Sequence, residues 1–502
     1  KLTLLDVAKD LNEIYTNYDS TPPMTLDTFV ERELNKIDFK PNVIGISILY
    51  STSHKGSLKI LEAASEKWPG VPIICGGNHA TTYYKFLLKQ SCIDYVLRGE
   101  GEISFVEFLN VLRKRDAGNY KDINVYGIYD CIKAESGVIE ISKMIYALDE
   151  IPIAAYDLLD LDYYRSTSNS VGKGAVSLMF DRGCIYKCTF CATRIVHGES
   201  IRSKSNERIM DELRYVKNVL KFKRIIIQDD LFAAKRKKFL ELHKMILDER
   251  ICEGITFCLP NALCVAIMNE EVIDALISMG AEFIKLSIES GSSYTQKHII
   301  HKNVPLDKAK RLLEYLRKKD ISIEVNFILG FPNETRELMQ ETIDYIDSLD
   351  VDWVIVYTAV PLPGTRIFQE FVNMGVISIE NYDWDICRFP LRSFDTNTIT
   401  AKDLEDLVYD TNIFQNFLKN KNIKYGRYGR AISYFDNMVL KRYPFHIVAL
   451  YSRAIAYEGL GEEEKTISDF KECVRLIKVN IESKKLYDRY REYMPRLKSF
   501  LD

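Results

Sequence analysis

Residues 181–194 read DRGCIYKCTFCATR and place Cys184, Cys188 and Cys191 in the spacing Cys-x3-Cys-x2-Cys, with no fourth cysteine nearby. Thiolates so grouped can hold a metal. Structural zinc takes four closed ligands, commonly as two separated pairs, and an ordinary iron–sulfur cluster also takes four cysteines. Three thiolates on one loop leave one iron of a four-iron cluster without a protein ligand, and a catalytic centre keeps such an open position. A zinc knuckle or chance thiols is the competing reading. The eleven cysteines are an odd number in a large chain, which argues against a disulfide framework. Cys75, Cys92, Cys131, Cys252, Cys258, Cys264, Cys387 and Cys473 have no ligand-spaced partner and read as small buried hydrophobes.

Further polar and glycine-rich elements close strand-like runs, at the ends where β/α barrels build their sites. QDDLF carries Asp229 and Asp230, SIESGS carries Glu289, Ser290 and Gly291, ILGFP carries Gly330, Phe331 and Pro332, and PLPGTRIF carries Pro361, Pro363, Gly364 and Thr365. The two aspartates suit hydrogen bonding to a ribose or substrate; capping of the next helix is the alternative.

The elements that must position these residues follow from composition and periodicity. The chain has 502 residues, 47% apolar and 28% charged, with a net charge of −3, which suits two to four globular domains and gives no basic field for nucleic acid or an anionic membrane. No apolar run reaches membrane-helix length and the start, KLTLLDVAKD, has no leader pattern, so the expected location is cytoplasmic. Up to about residue 130, LTLL, NVIGISIL, VPIIC, DYVLRGEGE and INVYGIY alternate with helical stretches, the rhythm of a doubly wound α/β domain. Opening on a strand suggests that one βα unit is missing. Leu58, Leu61, Ala64 and Trp68 mark one face of a crossover helix.

The expected division is an α/β domain over 1–147, a linker over 148–169, a barrel over 170–378 and a helical region over 379–502. Six strand runs, AVSLMF, RIIIQDD, ITFCLPN, FIKLSIES, ISIEVNFILG and DWVIVYTAV, each precede a helical stretch and predict a partial (β/α)6 barrel. Ser205 is the expected N-cap of a helix whose buried face is Ile209, Leu213, Val216 and Leu220. Past residue 380, ALYSRAIAYEGLGEEEKTISDF resembles one tetratricopeptide helix pair, too few for an independent solenoid.

The cysteine spacing, with the ordered strand-end elements, resembles the radical S-adenosylmethionine (SAM) superfamily. The resemblance implies a 4Fe-4S cluster on Cys184, Cys188 and Cys191, whose open iron binds SAM and whose electron cleaves it to a 5′-deoxyadenosyl radical. It implies an adenine neighbour at Phe190, a ribose-contacting element at Glu289, Ser290 and Gly291, and backbone contacts to adenine at Gly330, Phe331 and Pro332. Arg202, with Lys204, would meet the SAM carboxylate; a solvated basic loop is the alternative. The first domain resembles a cobalamin-binding domain in GISILYSTSH (45–54), GGNHATT (76–82) and RGEGE (98–102). The resemblance carries Tyr50, Ser51, Gly76, Gly77, His79, Gly99, Glu100 and Gly101 over as cobalamin contacts, although a plain flavodoxin-like fold would also place glycines there. The Asp-x-His-x2-Gly motif that supplies a histidine to cobalt is missing, which leaves the lower side of the corrin either empty or faced by a side chain of the 45–54 loop, with Tyr50 and His54 as the candidates.

The expected enzyme methylates an unactivated carbon of a small-molecule, peptide or lipid substrate, one SAM methylating cobalamin and another yielding the radical, with electrons from a donor such as flavodoxin or ferredoxin. A radical SAM cyclase, rearrangement or oxidation enzyme, and a non-catalytic iron–sulfur or zinc scaffold, are the alternatives.

Overall fold

A computed structural model of the chain describes residues 2–6, 9, 24–114, 123–169, 172–380, 382–384 and 392–501. Two units emerge: Lys1–Asn261 with Ser278–Gly280 and Val360–Phe394, and Ala262–Ile277 with Ala281–Ala359 and Asp395–Asp502.

In the first unit the β-branched runs form strands Ile44–Ser47 (β1), Ile73–Gly76 (β2), Tyr95–Leu97 (β3) and Ile128–Tyr129 (β4), in the order β1-β2-β3-β4. The first three are parallel and β4 is antiparallel to β3. The crossover helix His54–Lys67 buries Leu61 and Ala64, with Trp68 buried just past its end. The LTLL segment, expected as the first strand, is not one: Leu2 and Leu4 are 77% and 51% exposed, and the segment pairs with no strand among the described residues.

After short 3-10 turns comes a hairpin of Ser168–Asn169 (β5) and Gly172–Lys173 (β6), then Ala175–Leu178 (β7). Asp181–Arg182 (β8) pairs antiparallel with Arg202–Ser203 (β9), so that this small hairpin brackets the cysteine loop. Arg224–Ile227 (β10) lies between Thr256–Cys258 (β11) and β7 in a parallel sheet. The Ser205 hydroxyl caps helix Asn206–Tyr215 by accepting from the Arg208 amide at 3.1 Å, and Ile209, Leu213, Val216 and Leu220 are buried as expected.

The second unit holds a parallel sheet of Leu263–Cys264 (β12), Phe283–Glu289 (β13), Ser322–Leu329 (β14) and Trp353–Thr358 (β15), in that order. All six barrel runs are therefore strands, and two-residue β12 is additional. Helix Arg336–Asp347 returns the chain from β14 to β15. The exposed edge of β15 is covered in a way the sequence did not announce. Asn412, near the end of helix Ala401–Ile413, bonds both the N–H and the C=O of Val356, and Asn416 does the same to Val354. Four helical residues rise about 6 Å, close to the span of two strand residues, so the two amides mimic a neighbouring strand. The helix pair Ile447–Gly459 and Glu463–Val479 shares one core with Trp353, Phe417 and Phe435.

Cys75, Cys92, Cys258, Cys264 and Cys473 are buried as expected. Cys131 is exposed and Cys252 half-buried, which corrects the reading of those two as core residues. Cys131 opens the one-turn helix Cys131–Glu135, of which only Ala134 is buried. Cys387 lies outside the described residues.

Candidate cofactor site

The first unit builds the cysteine loop from its flanks inward. Asp229 and Asp230 follow β10. Asp229 Oδ1 accepts from the Phe180 amide at 2.6 Å and Asp230 Oδ2 from the Gly183 amide at 2.8 Å. The aspartates thus hold the backbone entering the loop, and the next helix, Arg236–Asp248, has no side-chain cap, which corrects the capping alternative. Gly183 has φ 93°, and a Cβ there would lie 2.2 Å from the Ser200 carbonyl oxygen. Only glycine fits where the chain turns into Cys184.

Within the loop the Cys191 amide bonds the Cys188 carbonyl at 3.2 Å, and the Thr189 carbonyl accepts from the Ile367 amide at 3.1 Å. The PLPGTRIF turn therefore pins the loop, with Thr365 capping the helix that carries Ile367. Cys184 and Cys188 are half-buried, Cys191 is exposed, and none of the three is in a disulfide. Phe190 is half-buried beside them. Among the described residues no three His, Cys, Asp or Glu side chains converge as ligands of one ion do. A cube carries its thiolates at separate corners, so accessible thiols spaced along one loop fit a 4Fe-4S cluster.

Burial raises the Asp229 carboxyl well above the ordinary range, the Asp181 charge adds to this, and the amides of Phe180 and Asp181 offset only part. Asp229 Oδ2 and Asp181 Oδ1 are buried without a hydrogen-bond partner and line a water-sized cavity of about 20 Å³ that Lys235 and Lys238 also border.

Arg202 does not face a ligand. Its Nη1 and Nη2 donate to the two carboxylate oxygens of Glu100 at 2.8 and 2.6 Å, and also to the carbonyls of Ile145 and His197. His197 Nδ1 stands 3.1 Å and Arg182 3.4 Å from the same carboxylate. Burial acts to raise the Glu100 carboxyl, but the hydrogen bonds from Arg202 and His197 and the Arg182 charge outweigh it and hold it far below the carboxylate range. Lys204 gives its ammonium to both oxygens of Glu212 at 2.7 Å. Both basic residues are thus engaged by carboxylates, against the SAM-carboxylate and the solvated-loop readings alike.

At the strand ends of the first sheet the expected contacts divide. Tyr50 is 70% exposed after β1, and a Cβ on Gly76, at the end of β2, would meet nothing within 4 Å. Open space at the end of β2 and an exposed aromatic in the loop after β1 fit a large flat cofactor at these strand ends. Gly77 and Gly99 serve packing instead: at φ 94° and 93°, a Cβ would lie 2.7 Å from the Ile48 carbonyl and 2.6 Å from Ile141. Gly101 opens helix Gly101–Arg113. His79 is buried, joined to Ser51 Oγ at 2.9 Å and to His54 at 3.0 Å, with Tyr83 and Trp384 against its ring. Burial and then the His54 charge push its pKa down to about 3, so it stays neutral as an internal strut.

In the second unit, Glu289 ends β13 at a register shift with φ 69°. Lys302 Nζ reaches its Oε1 at 2.6 Å and Ser287 Oγ at 2.8 Å, so the carboxylate is fixed inside a buried ion pair. Ser290 is fully buried against Thr342, and a Cβ on Gly291 would lie 2.3 Å from Tyr345. The amides of Gly330 and Phe331 both donate to Glu334 Oε2, at 2.7 and 3.1 Å; Phe331 is 1% exposed and Pro332 is buried. Ser290 and Phe331 shape the strand ends from inside. Lys302, Thr342 and Glu334 escaped the sequence reading; an acid four residues after Gly330 was the available signal for Glu334.

Two family comparisons meet these two strand-end regions. The B12 binding domain matches residues 7–109 and the Radical SAM superfamily matches residues 179–346. The chain belongs to the cobalamin-binding branch of the radical SAM superfamily. Its cofactors are those of that branch, a 4Fe-4S cluster, SAM and cobalamin. An uncharacterized methyltransferase, PH0819, of Pyrococcus horikoshii is 29% identical over 348 residues, 68% of this chain and 72% of the relative. The anaerobic magnesium-protoporphyrin IX monomethyl ester cyclase of Rubrivivax gelatinosus is 23% identical over 81% of this chain and 71% of its own. Among solved structures, the cobalamin-dependent SAM radical enzyme OxsB with aqua-cobalamin and SAM bound shares the fold, with a TM-score of 0.59, 18% identity, and coverage of 93% of this chain and 69% of that one. No helix among the described residues is long and apolar enough to cross a membrane.

Proposed function

We propose that this radical SAM enzyme is a cobalamin-dependent methyltransferase that acts in the cytoplasm on an unactivated carbon of a small-molecule, peptide or lipid substrate. A flavodoxin or ferredoxin is the proposed electron donor. The observation that carries the reading is the ion pair between Glu100 of the RGEGE loop and Arg202 of the β8–β9 hairpin, which ties the cobalamin-type domain to the segment bracketing the three cysteines.

When bound, the cluster supplies the electron that cleaves SAM and cobalamin carries the methyl group. The chain's own part is positional. Cys184, Cys188 and Cys191 are the proposed cluster ligands, with Phe190 beside them. Asp229 and Asp230 hold the loop's entry strand, and Lys302 fixes the Glu289 carboxylate that the family resemblance assigns to SAM. Tyr50 and the open position above Gly76 are the proposed corrin surface, with Ser51 and His79 bracing the loop from below. The cyclase relative supports a second reading, in which the same radical drives ring closure or oxidation without methyl transfer.

The test is anaerobic: reconstitute the cluster, add hydroxocobalamin, reductant and SAM, and quantify bound cobalamin, 5′-deoxyadenosine and S-adenosylhomocysteine together. Both nucleoside products, lost together in Cys188→Ala, support the methyltransferase. Deoxyadenosine alone selects the second reading, and neither product from a fully clustered, cobalamin-loaded protein rejects both.

A further inference from the structure

A cavity of about 510 Å³ opens in the second unit, within the size range of small-molecule sites. Phe417, Tyr451 and Ile455 line it together with Lys419, Lys421 and Lys424. Phe417 and Tyr451 are 6% and 7% exposed, so the apolar lining belongs to the core, whereas Lys419 and Lys424 stand at the mouth.

The helix that lines the cavity is distorted there. Phe414–Leu418 is a π-turn closed by the Lys419 amide on the Phe414 carbonyl at 2.7 Å. Such bulges recur at functional sites because they displace side chains that a regular helix would keep in register. The lining sets these three lysines against one carboxylate, Asp347, which already accepts from Gln415 and lies 3.7 Å from Lys419. Lys421 Nζ donates to the Asp347 backbone carbonyl at 2.6 Å. The lining therefore carries an excess of positive charge, and the Lys421 ammonium is disfavoured by burial first and by Lys424 next, which Asp347 and Asp350 offset only in part. A bound anion would relieve that repulsion.

The cavity also lies away from the strand ends assigned to SAM. Asp347 ends the helix leading into β15, and Phe417 sits 5.7 Å from Trp353, the first residue of β15. Glu289 and Gly330 lie at or just past the other ends of β13 and β14, which run parallel to β15 with Glu324 paired to Trp353 and Leu329 to Thr358. At about 3.3 Å per residue a six-residue strand separates the two ends by roughly 20 Å.

We propose that this cavity is a second ligand site, distinct from the radical site, for an amphiphile with a phosphate or carboxylate head on the lysines and an apolar body on Phe417, Tyr451 and Ile455. The inference does not depend on the methyltransferase reading.

The probe is octyl phosphate, titrated calorimetrically into the cofactor-loaded full chain, with 1-octanol and inorganic phosphate as comparators and octanoate as the second head group. The expected result is saturable one-to-one binding of octyl phosphate, at least tenfold tighter than either comparator, with octanoate deciding between the two heads. Lys424→Glu, at the mouth, should weaken it at least tenfold with unchanged melting temperature and unchanged SAM cleavage, and Lys421→Gln should do the same to binding. Inorganic phosphate binding as tightly as octyl phosphate would reduce the site to surface lysines and overturn the proposal. Absence of saturable binding, or binding indifferent to Lys424→Glu in the folded variant, also overturns it.

Discussion

Arg202 lays both terminal nitrogens of its guanidinium on the two oxygens of Glu100, and both side chains are nearly fully buried, at 3% and 2% exposure. A bidentate pair of this kind is directional as well as strong, and it joins residues 102 positions apart. Breaking a buried pair from one side leaves an uncompensated charge and costs about 3–5 kcal/mol. Glu100→Gln is therefore expected to lower stability by about that amount, because it strands the buried Arg202 guanidinium beside Arg182, and Arg202→Met by less, because Arg182 and His197 stay beside the carboxylate. Urea unfolding of both single variants and the double variant measures the coupling.

The same carboxylate sets an acid limit. Its folded pKa is depressed, so its contribution to stability is complete above the ordinary glutamate value near 4.3 and is lost as pH falls below that toward the folded value. Glu100→Gln should flatten that part of the curve. Melting temperatures of both proteins between pH 7 and pH 3 are the measurement, and parallel curves would refute the assignment.

Asp229 has the opposite sign. Its folded pKa is raised, so the folded state holds the proton more tightly, and its own contribution to stability is greatest at low pH and is lost as pH rises through the raised value. The substitution Asp229→Asn keeps an acceptor for the Phe180 amide and removes the charge facing Asp181. The variant should melt higher than the parent at pH 8 and converge with it near pH 4. A lower melting temperature at pH 8 would mean that Lys235 and Lys238 keep the carboxylate ionised.

Much of this architecture was legible because its signals are local. Six β-branched runs became six strands, Ser205 capped the helix it preceded, and three cysteines within eight positions marked the loop that β8 and β9 bracket. What stayed hidden depends on distant partners. Arg202 and Lys204 looked available because each partner, Glu100 and Glu212, is fixed only by tertiary packing. LTLL has strand composition but no partner strand among the described residues, and Asn412 and Asn416 look like ordinary polar helix positions until β15 lies beside them.

Those asparagines predict a specific loss. Asn416→Leu leaves the Val354 N–H and C=O unpaired in the interior, a penalty on the order of 1–3 kcal/mol for each group. Hydrogen exchange at the Val354 amide should accelerate along with the drop in stability. Unchanged protection would show that the asparagine is not what satisfies the strand edge.

Gly183 controls the cysteine loop by geometry alone. At φ 93° a Cβ would press to 2.2 Å from the Ser200 carbonyl oxygen, which cannot yield without opening the β8–β9 hairpin. Gly183→Ala thus carries a conformational cost of about 1–3 kcal/mol and a clash of similar size, both delivered to the residue before Cys184. Gly254, at φ 78° with nothing within 4 Å of its would-be Cβ, is the matched control that carries only the first cost. Iron and sulfide per chain after reconstitution should fall sharply in Gly183→Ala and stay at the parent value in Gly254→Ala. Equal iron in the two variants would mean that the cluster does not need the glycine turn to bring Cys184 into place.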